Sequence, residues 1–290
     1  MTDAAKPLTP KIIAALAAVY FIWGSTYLAI KVTLEDLTPF LMASSRFVIA
    51  GALLYAFALW RGDLPPTAKQ WRSTWLTGAL LLLVGHGGVV FAQQWVPSSL
   101  AALAVASMPI WATVFSALRG RPSTRIELVA VAAGFVGVVL LNLDGGILNA
   151  GIGAIALLVA PIAWAIGSML ARDLDLPKGF MLSATQMLCG GVLLGVAAVI
   201  HGEPWPTQFT TWPLLAWLWQ IFAGSIVAYT AYFYLLEKVR PALATSYAYV
   251  NPVVAVILGM TLAGETLDPW GWAGTVVIIG AVALITFSKR

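Results

Sequence analysis

The stretch Ser73–Leu118, STWLTGALLLLVGHGGVVFAQQWVPSSLAALAVASMPIWATVFSAL, runs for 46 residues without one Asp, Glu, Lys or Arg. As a single helix it would measure about 69 Å at ~1.5 Å per residue, against a hydrocarbon core of about 30 Å. It therefore enters a membrane, folds back and crosses again. Pro97-Ser98-Ser99 supplies the turn, since proline lacks an amide donor and the serine hydroxyls satisfy freed backbone groups. Further on, Leu128 to Ala171 is broken only by Asn142, Asp144-Gly145-Gly146 and Asn149, a second turn cluster between two spans.

Working outward from these two divisions, the apolar runs predict ten spans near 12–30, 38–60, 75–94, 99–118, 126–143, 151–171, 179–200, 214–236, 242–263 and 270–287. The composition agrees: 60% of the residues are apolar and 10% charged, against roughly 45–50% and about 25% in soluble domains. Mean hydropathy is +0.90. Ten spans leave little of the 290 residues for any domain outside the bilayer.

Basic residues set the orientation. With the amino terminus in the cytoplasm, all of the sixteen Lys and Arg residues except Lys31 and Arg46 fall on the cytoplasmic side. The expected location is the plasma (inner) membrane, multi-pass, with both termini cytoplasmic. Lys31 is expected to snorkel at the outer surface. The net charge of +4 then belongs to cytoplasmic loops, which argues against a nucleic-acid partner and leaves at most a weak preference for anionic headgroups. The first apolar run reads as a span rather than a cleaved leader. Cys189 is the one cysteine, so no intramolecular disulfide is possible, and its place in the seventh span predicts a buried packing thiol.

An internal repeat follows. Pro109 and Pro252 lie 143 residues apart, as do Leu100 and Leu243, Ala101 and Ala244, and Gly137 and Gly280. Trp23 and Trp164 are offset by 141, each eight residues before a basic residue, Lys31 or Arg172. Five spans per half is an odd number, so the second half starts on the opposite face and the repeats are inverted. The predicted fold is an all-α integral membrane protein of ten transmembrane helices, arranged as two inverted five-helix repeats over 1–145 and 146–290.

Three segments carry a resemblance: IWGSTY at Ile22 to Tyr27, PALATSYAYVNP at Pro241 to Pro252, and Gly264-Glu265. With them the chain resembles the drug/metabolite transporter superfamily, in the EamA-type, YedA/YddG-like branch of ten-helix exporters. The resemblance implies two five-helix halves around a central cavity, lined chiefly by the first, third, fourth, sixth, eighth and ninth spans. It also implies export of amino acids or related small metabolites.

Several residues are candidates for the cavity wall. On the third span His86, Val90, Gln93 and Gln94 share a partly polar face. On the eighth, Ser225, Tyr229 and Tyr232 do the same, and Tyr229 stands 143 residues after His86. Such groups line a vestibule or simply bond across helices, each worth about 0.6 kcal/mol. Pro109, Pro161 and Pro252 interrupt backbone bonding inside spans. Ser107 and Asn251 lie beside two of them, where a broken helix could present dipoles to a solute or merely curve. Trp23, Trp164 and Tyr247 sit deep, with Thr26, Tyr27 and Ser168 near them, and aromatic walls favour apolar or aromatic solutes. Trp71, Trp75, Trp95, Trp205, Trp212, Trp270 and Trp272 lie at span ends and fit interfacial belts. Gly191 and Gly195 form a GxxxG on the seventh span, for contact within the chain or between chains.

No Asp or Glu lies within the interior of a span, so cation export through a buried carboxylate is disfavoured and neutral or zwitterionic solutes are favoured. Arg46 is the one cation deep in a span. It neutralises a solute carboxylate, reaches the interface, or pairs with backbone carbonyls, and is assigned with Pro109 and Pro252 to structural or gating roles. There is no GxxxxGK[ST] loop and no HExxH pair; the reading is a non-enzyme without cofactor or metal, a monomer or weak oligomer in the lipid bilayer acting on a small-molecule substrate. The alternatives are a multidrug or other metabolite exporter of the same family and an intramembrane enzyme using His86.

Overall fold

The computed structural model describes residues 9–118, 125–140, 151–239, 244 and 247–287. They form ten helical spans in chain order: α1 Pro10–Thr33, α2 Pro39–Trp60, α3 Ala68–Ala92, α4 in two pieces (Ser98–Val105 and Met108–Leu118), α5 Arg125–Leu140, α6 Ile152–Asp173, α7 Gly179–Ile200, α8 Thr211–Lys238, α9 Tyr247–Leu262 and α10 Pro269–Phe287. Six of these (α1, α2, α3, α6, α7 and α8) are long and apolar enough to cross a membrane by themselves. The turn cluster Asn142–Asn149 and most of the Pro241–Ser246 segment lie outside the described residues.

Local chemistry sets the helix ends. Thr9 caps α1 with Pro10 at its first position. Thr67 and Gln70 form a reciprocal capping box that starts α3 at Ala68, seven residues before its apolar run. Gly264 ends α9 at φ +63°, a left-handed conformation that glycine adopts without cost, and the Glu265 amide then donates to Gly259 O across the closing turn.

The described turn-to-turn bonds fit an alternating up-and-down path. Glu203, after α7, accepts the Phe40 and Leu41 amides at the start of α2 at 3.1 and 2.8 Å, and Asp36 after α1 accepts from Thr210 before α8. Glu265 joins the same face, accepting from Ser98 and Ser99 at the start of α4 and from Lys31 Nζ at 3.1 Å. Lys31 thus carries an ion pair where simple snorkelling was expected. At the opposite face Lys69, in the first turn of α3, pairs with Asp175 after α6 at 3.4 Å.

Helices pack on their counterparts in the other half. A Cβ added to Gly51 on α2 would stand 3.0 Å from Leu188 N on α7, and one added to Gly191 on α7 would stand 2.9 Å from Val48 N on α2. Both pairs are related by one offset of 140 residues, so the contact is reciprocal. Ser44 Oγ donates to Gly191 O at 2.8 Å across the same crossing, which places the GxxxG contact inside the chain. Large apolar side chains such as Phe21, Ile155, Val199 and Val276 face outward, as a lipid-facing surface requires. Trp75, Trp95, Trp205, Trp212, Trp270 and Trp272 are exposed near helix ends and Trp60 joins them, while Trp71 is only partly exposed. Cys189 is buried.

Candidate solute cavity

Three helices carry wide π-type turns: α1 over Ala18–Ile22, α3 over Ala79–His86 and α8 over Gln220–Tyr229. These segments are rare and tend to occur at functional sites. Those of α3 and α8 contribute lining residues to a central cavity of about 70 Å³, room for several water molecules, and that of α1 ends one residue before the cavity wall begins at Trp23. Trp23, Thr26 and Tyr27 from α1, Arg46 and Phe47 from α2, His86 from α3, Pro161 and Trp164 from α6, Gly224 and Tyr229 from α8, and Tyr247 and Asn251 from α9 line it.

Trp23 is the hub. Its ring lies 5.8 Å from that of Trp164, 5.0 Å from Tyr247, 5.2 Å from Tyr232 and 6.4 Å from Tyr229. The Trp164 and Tyr247 contacts are edge-on, the arrangement aromatic quadrupoles favour. Its indole N–H donates to Gly224 O at 2.9 Å, a carbonyl within the wide turn of α8. With the Asn251 amide oriented so that its nitrogen faces the neighbouring carbonyls, Nδ2 donates to Tyr20 O at 2.9 Å and Tyr247 O at 3.2 Å. Tyr20 lies in the wide turn of α1, so this bond ties α9 to α1.

Arg46 is 2% exposed. Nε donates to Ser225 Oγ at 2.7 Å, and Nη1 to Gln220 Oε1 at 3.0 Å and to His86 Nε2 at 3.3 Å. Because a guanidinium only donates, His86 Nε2 is the acceptor and its proton resides on Nδ1. Gln220 Nε2 in turn donates to Thr33 Oγ1 at 2.8 Å and Ala29 O at 3.2 Å. A matching network occupies the other half: Gln186 on α7 donates to Thr77 Oγ1 on α3 at 3.0 Å and accepts from Tyr229 OH on α8 at 3.1 Å.

The cavity gathers nine of the sequence candidates: Trp23, Thr26, Tyr27, Arg46, His86, Trp164, Tyr229, Tyr247 and Asn251. Tyr232 and Ser168 stand behind the wall, bonded to each other at 2.8 Å. Gln93 is turned toward α1, donating to Tyr27 O at 3.0 Å, and Ser107 donates to Ala104 O at 2.7 Å within α4; neither lines the cavity. α4 breaks at Ala106-Ser107, just before Pro109, whereas α9 stays helical through Pro252. Among the described residues Arg46 reaches neither an interface nor a backbone carbonyl; its bonds are to side chains. Ser225 was legible as part of a polar face, but Gln220, three of whose partners lie on α1 and α2, carries no distinguishing mark in sequence.

A profile of the EamA-like transporter family matches the chain twice, over residues 10–143 and 151–287. The chain belongs to the EamA-like transporter family. This EamA transporter is 45% identical over 276 residues to the uncharacterized inner membrane transporter YedA of Escherichia coli K12, covering 95% of this chain and 90% of that one. It is 30% identical over 278 residues to the protein PecM of Dickeya dadantii, covering 93% and 91%. A solved crystal structure matches its fold with a TM-score of 0.69 at 20% identity, covering 95% of this chain and 96% of the other. The EamA transporter is thus a multi-pass inner-membrane protein of the drug/metabolite transporter superfamily.

Proposed function

We propose that this transporter exports small neutral or zwitterionic solutes, amino acids with aromatic or other apolar side chains foremost, by alternating access through the central cavity. The observation that carries the reading is the Trp23 cluster, a buried aromatic wall contributed by α1, α6, α8 and α9 at the meeting of the two halves. Stacking and area burial against such a wall select apolar side chains. The two halves, 1–145 and 146–290, act as inverted repeats whose exchange of conformation turns an outward opening inward. The double profile match and the reciprocal Gly51 and Gly191 contacts support that division. Both termini face the cytoplasm on the distribution of Lys and Arg.

Among the described residues every Asp and Glu lies at a helix end or in a turn. This favours solutes without net positive charge over the cationic drugs that a multidrug exporter would take. Counterflow of labelled Phe, Met and Thr in proteoliposomes, with and without a pH gradient, tests the reading and its coupling. Saturable exchange of at least one is expected, and no saturable exchange of any defeats the substrate assignment.

A further inference from the structure

Arg46 carries a full charge in the middle of a membrane protein; its three described hydrogen-bond partners, Ser225, Gln220 and His86, offer only neutral acceptors, and the Phe47 ring 4.9 Å from its guanidinium carbon adds no negative charge. A buried charge is costly unless an opposite charge or a full set of hydrogen bonds meets it. The bonds use Nε and Nη1; Nη2, with two N–H groups, makes none of them. Nη2 lies where a Cβ on Gly224 would stand 2.8 Å away, and both residues line the cavity.

The other half shows that the fold does not need the charge. His86 and Tyr229 are repeat counterparts at an offset of 143, as are Thr77 and Gln220. Arg46 and Gln186 correspond at the offset of 140 that relates Gly51 to Gly191. Arg46 links His86 to Gln220, and Gln186 links Tyr229 to Thr77. A neutral amide therefore performs at Gln186 the helix-bridging task that a cation performs at Arg46. The surplus is one positive charge and one pair of N–H donors at the cavity wall.

We infer that Arg46 is the seat of an anionic group, a carboxylate on the transported solute, held by Nη2 while Gln220, Ser225 and His86 fix the guanidinium plane. A planar fork of donors suits a carboxylate, whose negative charge completes the buried pair. Trp23 donates to the carbonyl of Gly224, the residue on which Nη2 rests. A carboxylate at Arg46 therefore leaves the organic part of the solute against the Trp23 cluster. The inference deepens the proposed function and rests on it for the word solute; the anion seat itself stands or falls separately.

The test compares L-phenylalanine, 3-phenylpropionate and phenethylamine, which differ in carrying both charged groups, only the carboxylate, or only the amine. Each is titrated against the thermal unfolding of the purified protein in detergent and against counterflow of labelled Phe. Phenylalanine and 3-phenylpropionate should stabilise the wild type while phenethylamine does not. Arg46→Gln, which copies the neutral twin, should weaken apparent affinity for 3-phenylpropionate on the order of tenfold or more. Gly224→Ala, which keeps the charge but presses on Nη2, should weaken it in the same direction and covers the case in which Arg46→Gln does not fold. Equal binding of phenethylamine and 3-phenylpropionate, unchanged affinity in these variants, or no binding of any of the three overturns the inference. Phe counterflow indifferent to both variants removes the anion seat and leaves the transport reading; Arg46-dependent binding without counterflow of any solute does the reverse.

Discussion

Glu265 Oε1 accepts both the backbone amide and the hydroxyl of Ser98, at 2.9 and 2.8 Å. Its other oxygen accepts the Ser99 amide at 3.1 Å, so one carboxylate from the α9–α10 turn closes the amino end of α4. Burial alone would raise this carboxyl; the hydrogen bonds from Ser99 and Ser98 and from Lys31 outweigh it and hold the group at about 2.

A depressed carboxyl stabilises the fold above its unfolded value of about 4.3 and loses that contribution as pH falls toward its folded value. The difference in thermal stability between wild type and Glu265→Gln in detergent should be constant above about pH 5 and shrink between about pH 4 and 2. At neutral pH the substitution should cost about 2 kcal/mol, the scale of hydrogen bonds to a charged group. A difference independent of pH over that window would contradict the assignment.

Gly191 and Val48 meet with no room for a side chain. Gly191→Ala should lower stability by about 1–3 kcal/mol, because the new Cβ meets a backbone nitrogen that cannot turn aside. Gly51→Ala should cost a similar amount through Leu188. Unfolding of the two variants by heat in detergent checks both, and a stable Gly191→Ala would show that the α2–α7 crossing is looser than described.

Trp23→Phe keeps a ring in the cluster but removes the bond to Gly224 O, whose net worth is about 1 kcal/mol. Stability should fall by about that amount, because the Gly224 carbonyl loses its partner, while the retained ring keeps most of the apparent affinity for Phe. Trp23→Ala should lose far more. Equal kinetics in wild type and Trp23→Ala would take the aromatic cluster out of the solute path.

Asn251→Ala severs the tie between α9 and the wide turn of α1. Transport should drop while folded protein persists. Unchanged counterflow kinetics would leave Asn251 a packing residue only.

Much of the fold was legible because lipid imposes a strong pattern. The seventh span, expected at 179–200, is α7 Gly179–Ile200. The third began earlier than its apolar run, because apolarity marks where hydrocarbon starts whereas the Thr67–Gln70 box marks where helical bonding starts. The break in α4 was foreshadowed by Pro109 with Ser107, but the same signal at Pro252 left α9 continuous. For the cavity, deep aromatics such as Trp23, Trp164 and Tyr247 were readable from their depth in matching spans. Gln93 shows the limit: a polar face on one helix does not say whether it meets a cavity or a neighbour, and here it meets Tyr27 O. The partners of Arg46 lie 40 to 179 residues away, so no local pattern could announce them.

Cys189 as the lone cysteine makes the most direct test practicable. In a Cys189→Ala background, Thr26→Cys places one thiol on the cavity wall, and a membrane-impermeant thiol reagent is applied to each face of sealed vesicles. Alternating access predicts labelling from both faces, with a transported solute changing the two rates in opposite directions. Labelling from one face only under every condition, or from neither, would contradict it.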